Sequence, residues 1–293
     1  MSHNGNLLKF TYDYSLRLLK SITNTDRISN KDDPWRAARQ ALDEALEKKH
    51  MIAADIVSAY NRSHNFHRKL KLASRHLEAV HLWSCRVWPK GQVIKVDAKL
   101  VEGSKLLTGG SSGVLQTVFE VGLAWDHILD LPYITGSSLK GAMRAAVEAL
   151  LDSKHDSIIK QVFGSEAASG CFQVFDAYPV EAPEGLLELD VVTPHYYSRS
   201  KVVKSELDAQ PVPVVHISIV SGVLFRFVVA HRCSKRVLED LSKALRELKV
   251  NATNSGAIAA LLALALLNGV GARTGKGYGM FSLEKLSFDC PRR

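Results

Sequence analysis

The spacing of apolar residues changes period several times along this chain, and the order of those changes limits the folds open to it. In QVIKVDAKL, residues 92–100, Val93, Lys95 and Asp97 alternate with Ile94, Val96 and Ala98, which is the two-residue period of a strand. From Ser138 the period becomes helical: Leu139, Met143, Ala146 and Leu150 recur along one stripe with Ala142 beside them. Strand candidates CFQVFDA and LLELDVVT follow, and then PVVHISIVSGVLFRFVVAH, whose two apolar runs flank Ser221-Gly222 and read as a hairpin. One helix is expected from about Ser234 to Leu248, with Leu238, Leu241, Leu245 and Leu248 inward. A second, an Ala/Leu segment, ends near Asn268 and leads to the last strand candidate, YGMFSLEKLSF. This order predicts an α+β fold, a ferredoxin-like antiparallel sheet with helices on one face, insertions, and a helical N-terminal extension. The chain divides accordingly into a helical region over 1–88, packed on the core, and a domain over 89–293 with an insertion around 180–212.

A chain of 293 residues buries a sizeable core, and its net charge of +8 favours a polyanionic partner. The charge is uneven: from Arg62 to Lys90 there are seven Lys or Arg against the single acid Glu78. Upstream, NKDDPWRAARQALDEALEKKH reads as a helix with Asp33 as N-cap and Pro34 in the first helical position. Cys85, Cys171, Cys233 and Cys290 are far apart and match no metal-knuckle spacing, so they read as reduced, mostly buried thiols, with neither a metal nor a disulfide framework suggested. The longest apolar run, Ala257 to Leu267, is too short to span a bilayer. A cytoplasmic protein without a membrane partner is expected.

Two glycine-bearing stretches stand out. LPYITGSSLKGAMRAA, residues 131–146, puts Lys140 and Arg144 into the first turns of a helix, where the partial positive charge of the N-terminus disfavours them. A bound phosphate reverses that cost, since amide groups, the Ser137 and Ser138 hydroxyls, an ammonium and a guanidinium would all meet it. Ser138 reads first as the helix cap. The second stretch, NGVGARTGKGYGMF, residues 268–281, fails the nucleotide motifs. Gly271 leaves three residues before Gly275-Lys276 and Gly269 leaves five, where a Walker loop needs four, and Gly277 replaces the required Ser or Thr. No cofactor is called for. What remains is a side-chain-poor backbone that can approach a phosphodiester chain, formed by Gly271, Arg273, Thr274, Gly275, Lys276, Gly277 and Tyr278.

Together, the two stretches resemble the paired signature of the RAMP superfamily, RNA-binding subunits of CRISPR effector complexes. A third stretch, VFDAYPVEAPEGLLELDVVTPHYYS followed by PVPVVHISIVSGVLFRFVV, is similar to the central region of the sixth-subunit family of type III-B Cmr complexes. The resemblance runs from about residue 90 to 286. It implies an RRM-related fold, a place near the end of the Cmr backbone holding the 3′ part of the guide RNA, other RAMP subunits of the Cmr complex as neighbours, contact with target RNA, and a binding rather than catalytic role. Related backbone subunits cut target RNA with an aspartate on a loop before the motif helix. Asp126 and Asp130 lie in that area, but nothing in their spacing marks either as catalytic. The alternative is a metal-independent guide-processing endoribonuclease using a histidine as acid or base. His195, beside Tyr196 and Tyr197, reads as a structural or interface residue. Thr135 departs from the family, which often has proline there.

Overall fold

A computed structural model of the chain describes residues 7, 11, 13, 51–89, 91–109, 122–151, 153–192, 214–247 and 254–290. The expected helix around Asp33 and Pro34, the segment containing His195, and Leu248 lie outside these residues. The chain forms two compact units. One comprises Met1–Phe66, Gly110–Leu123 and Leu187–Ser218; in it residues 51–61 are helical, and Asn61 exchanges hydrogen bonds with the backbone of Leu187, its amide donating to the carbonyl and its carbonyl accepting from the N–H.

The other unit, His67–Gly109, Ala124–Leu186 and Ile219–Arg293, carries the main sheet. Its elements begin with helix α1 (Phe66–Val87), strand β1 (Val93–Leu100) and the short pair β2 (Trp125–Asp126) and β3 (Leu131–Pro132). Next come α2 (Gly136–Leu150), α3 (Asp156–Phe163), β4 (Phe172–Val174), β5 (Tyr178–Glu181) and β8 (Leu224–His231), whereas β6 (Leu187–Val192) and, but for Ile219, β7 (Val214–Ile219) belong to the first unit. Helices α4 (Lys235–Glu247) and α5 (Asn254–Asn268) and strand β9 (Phe281–Ser287) complete the sheet-bearing unit. The sheet order is β4-β8-β1-β9 with every pairing antiparallel, and β5 pairs with β8 beyond β4. With α2 crossing from β1 to β4, and α4 and α5 from β8 to β9, this is the interleaved order of a split βαβ fold.

Alternation along the strands decides what each face meets. Ile94, Val96, Ala98 and Leu100 of β1, with Phe225 and Phe227 of β8 and Phe281 of β9, are buried on one face, where α2 packs on β4 and α5 on β9. The other face carries Val93, Lys95 and Asp97 and, on β8, Arg226, Val228 and Ala230. It is not left to water, because α1 lies over it: Val93, Val228 and Ala230 pack against Val80 and Cys85. Lys95 Nζ donates to Glu78 Oε2 at 2.8 Å, and Arg226 Nη1 donates to Ser74 Oγ at 3.3 Å. Asp97 and Arg226 are direct cross-strand partners joined by a two-pronged ion pair of 2.6 and 2.8 Å. That hydrogen bonding raises the guanidinium's pKa against the opposing effect of burial. The crossover helices occupy one face as expected, and the N-terminal extension supplies α1 on the other.

Two expectations need correction. Both apolar runs flanking Ser221-Gly222 are strands, but β7 and β8 belong to different sheets: β7 pairs with β6. Both edges of β8 are already taken, by β1 on one side and by β4 and β5 on the other, so β7 has no free edge to join. The cysteines are not free thiols. Cys85, in the last turn of α1, is bonded to Cys290 beyond β9 across 205 residues of sequence, and Cys171 to Cys233 across 62. The second bridge follows from strand pairing: Phe172 and His231 are cross-strand partners, which brings the residues just outside them together. No described helix is long and apolar enough to cross a membrane.

A thiol assay checks the bridges. Denatured without reductant, the chain should take up no iodoacetamide, and after reduction it should be labelled at all four cysteines. Opening either bridge by a Cys→Ser pair should lower stability by roughly 2–4 kcal/mol.

Candidate nucleic-acid interface

Helix α2 starts at a tight junction with the β4–β5 connection. A Cβ on Gly136 would lie 2.2 Å from the Val174 carbonyl oxygen, so only glycine fits. The Gly136 N–H donates to Asp176 Oδ1 at 2.7 Å, which places the protein's own carboxylate at the helix N-terminus. The cap is Thr135, not Ser138 as expected: its Oγ1 accepts from the Ser138 N–H at 3.2 Å. Proline has no such side-chain acceptor, so the departure from the family pattern supplies the cap. Two amide groups offered to phosphate by the sequence reading are therefore satisfied internally, while the Ser137 and Ser138 side chains remain exposed. Along the helix the buried stripe is Gly136, Leu139, Met143, Ala146 and Val147; Leu150, expected inside, is exposed.

The two cations of α2 are also partly engaged. Lys140 Nζ donates to the Phe172 carbonyl at 2.8 Å, and burial pushes its pKa down. Arg144 donates to Glu148 at 2.8 Å and to the Gly164 carbonyl at 3.3 Å. With Lys160 they line an open cleft of about 780 Å³ formed against the loop Gly164–Gly170, a cleft that residues 271–278 do not line.

The second glycine element separates by conformation into a scaffold and a tip. At Gly269, Gly271 and Gly279 the φ angles are positive and an added Cβ would strike backbone oxygen, as close as 1.9 Å at Gly279. These three are internal necessities. Gly277 needs its positive φ but faces open space, and Gly275 has neither constraint. Gly275, Lys276 and Gly277 are exposed at the tip, around a short 3-10 turn at Thr274–Lys276. Arg273 takes a left-handed conformation (φ 63°) and lays its guanidinium 4.8 Å from the centre of the Tyr278 ring.

Both elements are fastened to one short segment. Ser104 Oγ donates to the Gly277 carbonyl and accepts from the Met280 N–H, and the Gly279 N–H donates to the Lys105 carbonyl. The Ala272 N–H donates to the Leu107 carbonyl at 2.8 Å. The next residue, Thr108, donates its hydroxyl to the Tyr133 carbonyl at 3.0 Å, two residues before the α2 cap. Consecutive residues thus hold the two glycine elements. Ser104 and Thr108 do not stand out in the sequence because each acts across a long sequence separation, Asp176 reads there as too loosely placed for a paired carboxylate site, and Lys160 sits in no local motif.

Asp126 and Asp130, the candidates on the loop before α2, are bound internally. Asp126 accepts from the Ile128 and Leu129 N–H groups at 2.8 and 2.9 Å and from the Tyr178 hydroxyl at 2.9 Å. Burial alone would raise its pKa; these donors outweigh burial and hold the carboxyl below its usual range. Burial and the same carboxylate push the Tyr178 phenol up. Asp130 is buried, paired to Lys69 Nζ at 2.6 Å and accepting from Trp125 Nε1 at 3.1 Å.

Comparison with known proteins gives a consistent result. The family model of the RAMP superfamily matches residues 99–282. The CRISPR system CMR subunit Cmr6 of Saccharolobus solfataricus is 32% identical over 191 residues, which cover 65% of this chain and 58% of that protein, so the match spans less than two thirds of the relative's length. A chain in the cryo-EM structure of the type III-B Cmr-beta bound to cognate target RNA superimposes with a TM-score of 0.67 at 23% identity, over 96% of this chain and 92% of that one, and shares its fold.

The separation of scaffold from tip predicts opposite outcomes for two alanine substitutions. Gly279→Ala should destabilise by about 2 kcal/mol or more, and Gly275→Ala by less than about 0.5 kcal/mol, read from urea unfolding. Thr135→Ala should cost about 1 kcal/mol. For Asp126, whose folded pKa is depressed, the stabilisation is complete above the unfolded value of about 3.9 and fades as pH falls through the lower folded value. Asp126→Asn should therefore narrow its stability gap to the parent chain as the pH is taken down to about 2.

Proposed function

Since the chain belongs to the RAMP superfamily, we propose that it is a non-catalytic RNA-binding subunit of a type III-B Cmr CRISPR effector ribonucleoprotein. It holds the 3′ part of the guide RNA, with target RNA and the neighbouring Cmr subunits of the RAMP backbone as further partners. The observation that carries this reading is the common anchoring of the two glycine elements on Leu107 and Thr108, beside an exposed tip. A strand of RNA is a ligand that an open, basic, side-chain-poor surface can follow. Gly275 and Gly277 admit the ribose-phosphate chain closely, Lys276 supplies charge, and the Arg273–Tyr278 pair offers a stacking plane. Gly271 sets the loop against Leu107, and Thr274 opens the turn beneath the tip. Ser137 and Ser138 present hydroxyls to phosphate. Lys140 and Arg144, whose carbonyl contacts orient them, add charge along the cleft, and an anion there offsets the burial that depresses the lysine.

Such contacts read the backbone, not base edges, so binding should be strong in low salt and indifferent to sequence. The internal engagement of Asp126 and Asp130 supports the non-catalytic reading, because neither carboxylate is placed to take a proton from a ribose hydroxyl.

Measurement of RNA affinity against salt tests this. On single-stranded RNA each lost phosphate contact should flatten the log–log slope by about 0.7. Lys276→Ala and Arg273→Ala should each do so while the chain stays folded, and Lys140→Ala and Arg144→Ala likewise. Unchanged slopes in all four variants would refute the assignment, and site-specific cleavage of repeat RNA that survives a chelator would refute the non-catalytic role.

A further inference from the structure

His81, Cys85 and Cys290 meet at the C-terminal end of α1, and none of them belongs to either glycine element. Helical geometry accounts for two of them: residues 81 and 85 are one turn apart on one side of α1. The third arrives from beyond β9 through the bond to Cys85. The nitrogen and sulfur atoms all lie within 4.8 Å of one another. His81 is buried with Nε2 3.6 Å from Cys85 Sγ. Its other nitrogen, Nδ1, is buried without a hydrogen bond and faces Glu78 Oε1 at 3.8 Å.

This arrangement has the features of a thiolate–imidazole metal site. With Zn–S of about 2.3 Å and Zn–N of about 2.0–2.1 Å, two ligands on one tetrahedral zinc stand about 3.5 Å apart, close to the separation between Nε2 and Cys85 Sγ. A carboxylate next to the remaining imidazole nitrogen is the usual arrangement for orienting a ligating histidine, and Glu78 stands there. Two sulfurs and one imidazole select a thiophilic divalent cation over magnesium or calcium. The sulfur–sulfur bond excludes such an ion, because a disulfide has no thiolate to donate.

We propose that His81, Cys85 and Cys290 form a redox-gated site for a zinc-class cation, closed while the two sulfurs are bonded and open once they are reduced. A dithiol opens it: the reductant's two sulfurs become a disulfide, and the Cys85–Cys290 bond breaks to give two thiols. The cation then displaces both thiol protons to solvent and takes two thiolates and neutral Nε2, with a fourth position for water. Cys85 and Cys290 are only partly buried, which gives reductant and ion a path. The site does not depend on the RNA-binding reading.

Cobalt(II) is the probe. The full chain is reduced with dithiothreitol, freed of it under nitrogen, and titrated. The reduced chain should gain sulfur-to-cobalt charge-transfer and tetrahedral d–d bands at one ion per chain, and the oxidised chain none. Cys171→Ser/Cys233→Ser, which removes the other bridge, should keep the signal, whereas Cys290→Ser and His81→Gln should each weaken binding by at least tenfold. Circular dichroism verifies that each variant is folded. The proposal is overturned if the reduced parent chain takes up no cobalt at this stoichiometry, if the bands vanish with the other bridge, or if they persist in folded Cys290→Ser.

Discussion

The Asp97–Arg226 ion pair fixes how this sheet can be used. It joins the two central strands β1 and β8, on a face that alternation makes polar at its centre, and Arg226 reaches on to Ser74 of the covering helix. A buried charge pair left with one member costs on the order of 3–5 kcal/mol, so helix and strands are committed to one another at this point. The consequence for function is exclusion. An RRM-type sheet binds bases by stacking them on its open face, but here α1 lies over that face and takes Lys95 and Arg226 as its own partners. The proposed ligand surface is accordingly built away from that face, from the glycine loop and the outward side of α2.

The segment from Ser104 to Thr108 performs that assembly. It follows β1 directly, so its position is inherited from a central strand of the sheet, and it passes that position on through backbone and hydroxyl contacts to both glycine elements. The division among the glycines follows. Gly269, Gly271 and Gly279 permit the close approach that makes the anchoring possible, and the tip they support is left with freedom it does not need for folding. The α2 terminus shows the opposite economy. Asp176 and Thr135 satisfy its first amide groups, so what α2 presents outward is hydroxyl and cation, not bare backbone.

How much of this was legible depended on the range of the interaction concerned. Strand β1, helices α2, α4 and α5 and strand β9 were readable because their periodicity is local. The β7–β8 hairpin misled because turn chemistry says where a chain reverses and not which edge is free; the filled edges of β8 decided that. The disulfides were invisible for a related reason: Cys171 and Cys233 are brought together by pairing of β4 with β8, and Cys85 and Cys290 by α1 lying over the sheet. At the site, the residue types of the two glycine stretches were legible, but the shared segment, Asp176 and Lys160 were not. The cap moved from Ser138 to Thr135 because Gly136 has to sit against Val174, which starts the helix earlier than the apolar stripe suggests.

Helix α1 is fastened at three levels by three kinds of chemistry. Near its start, Lys69 forms a buried pair with Asp130; in its middle, Ser74 and Glu78 engage Arg226 and Lys95; at its end, Cys85 is bonded to Cys290. Only the last responds to redox conditions. The first two attachments do not involve the sulfurs, so breaking the disulfide removes neither of them. The Val80 and Cys85 contacts with Val93, Val228 and Ala230 also hold the sulfurs' neighbourhood together, so the separated thiols remain near His81. A site that opens without unfolding its surroundings is the physical condition for exchanging a covalent bond for a bound ion, and the layered attachment of α1 meets that condition.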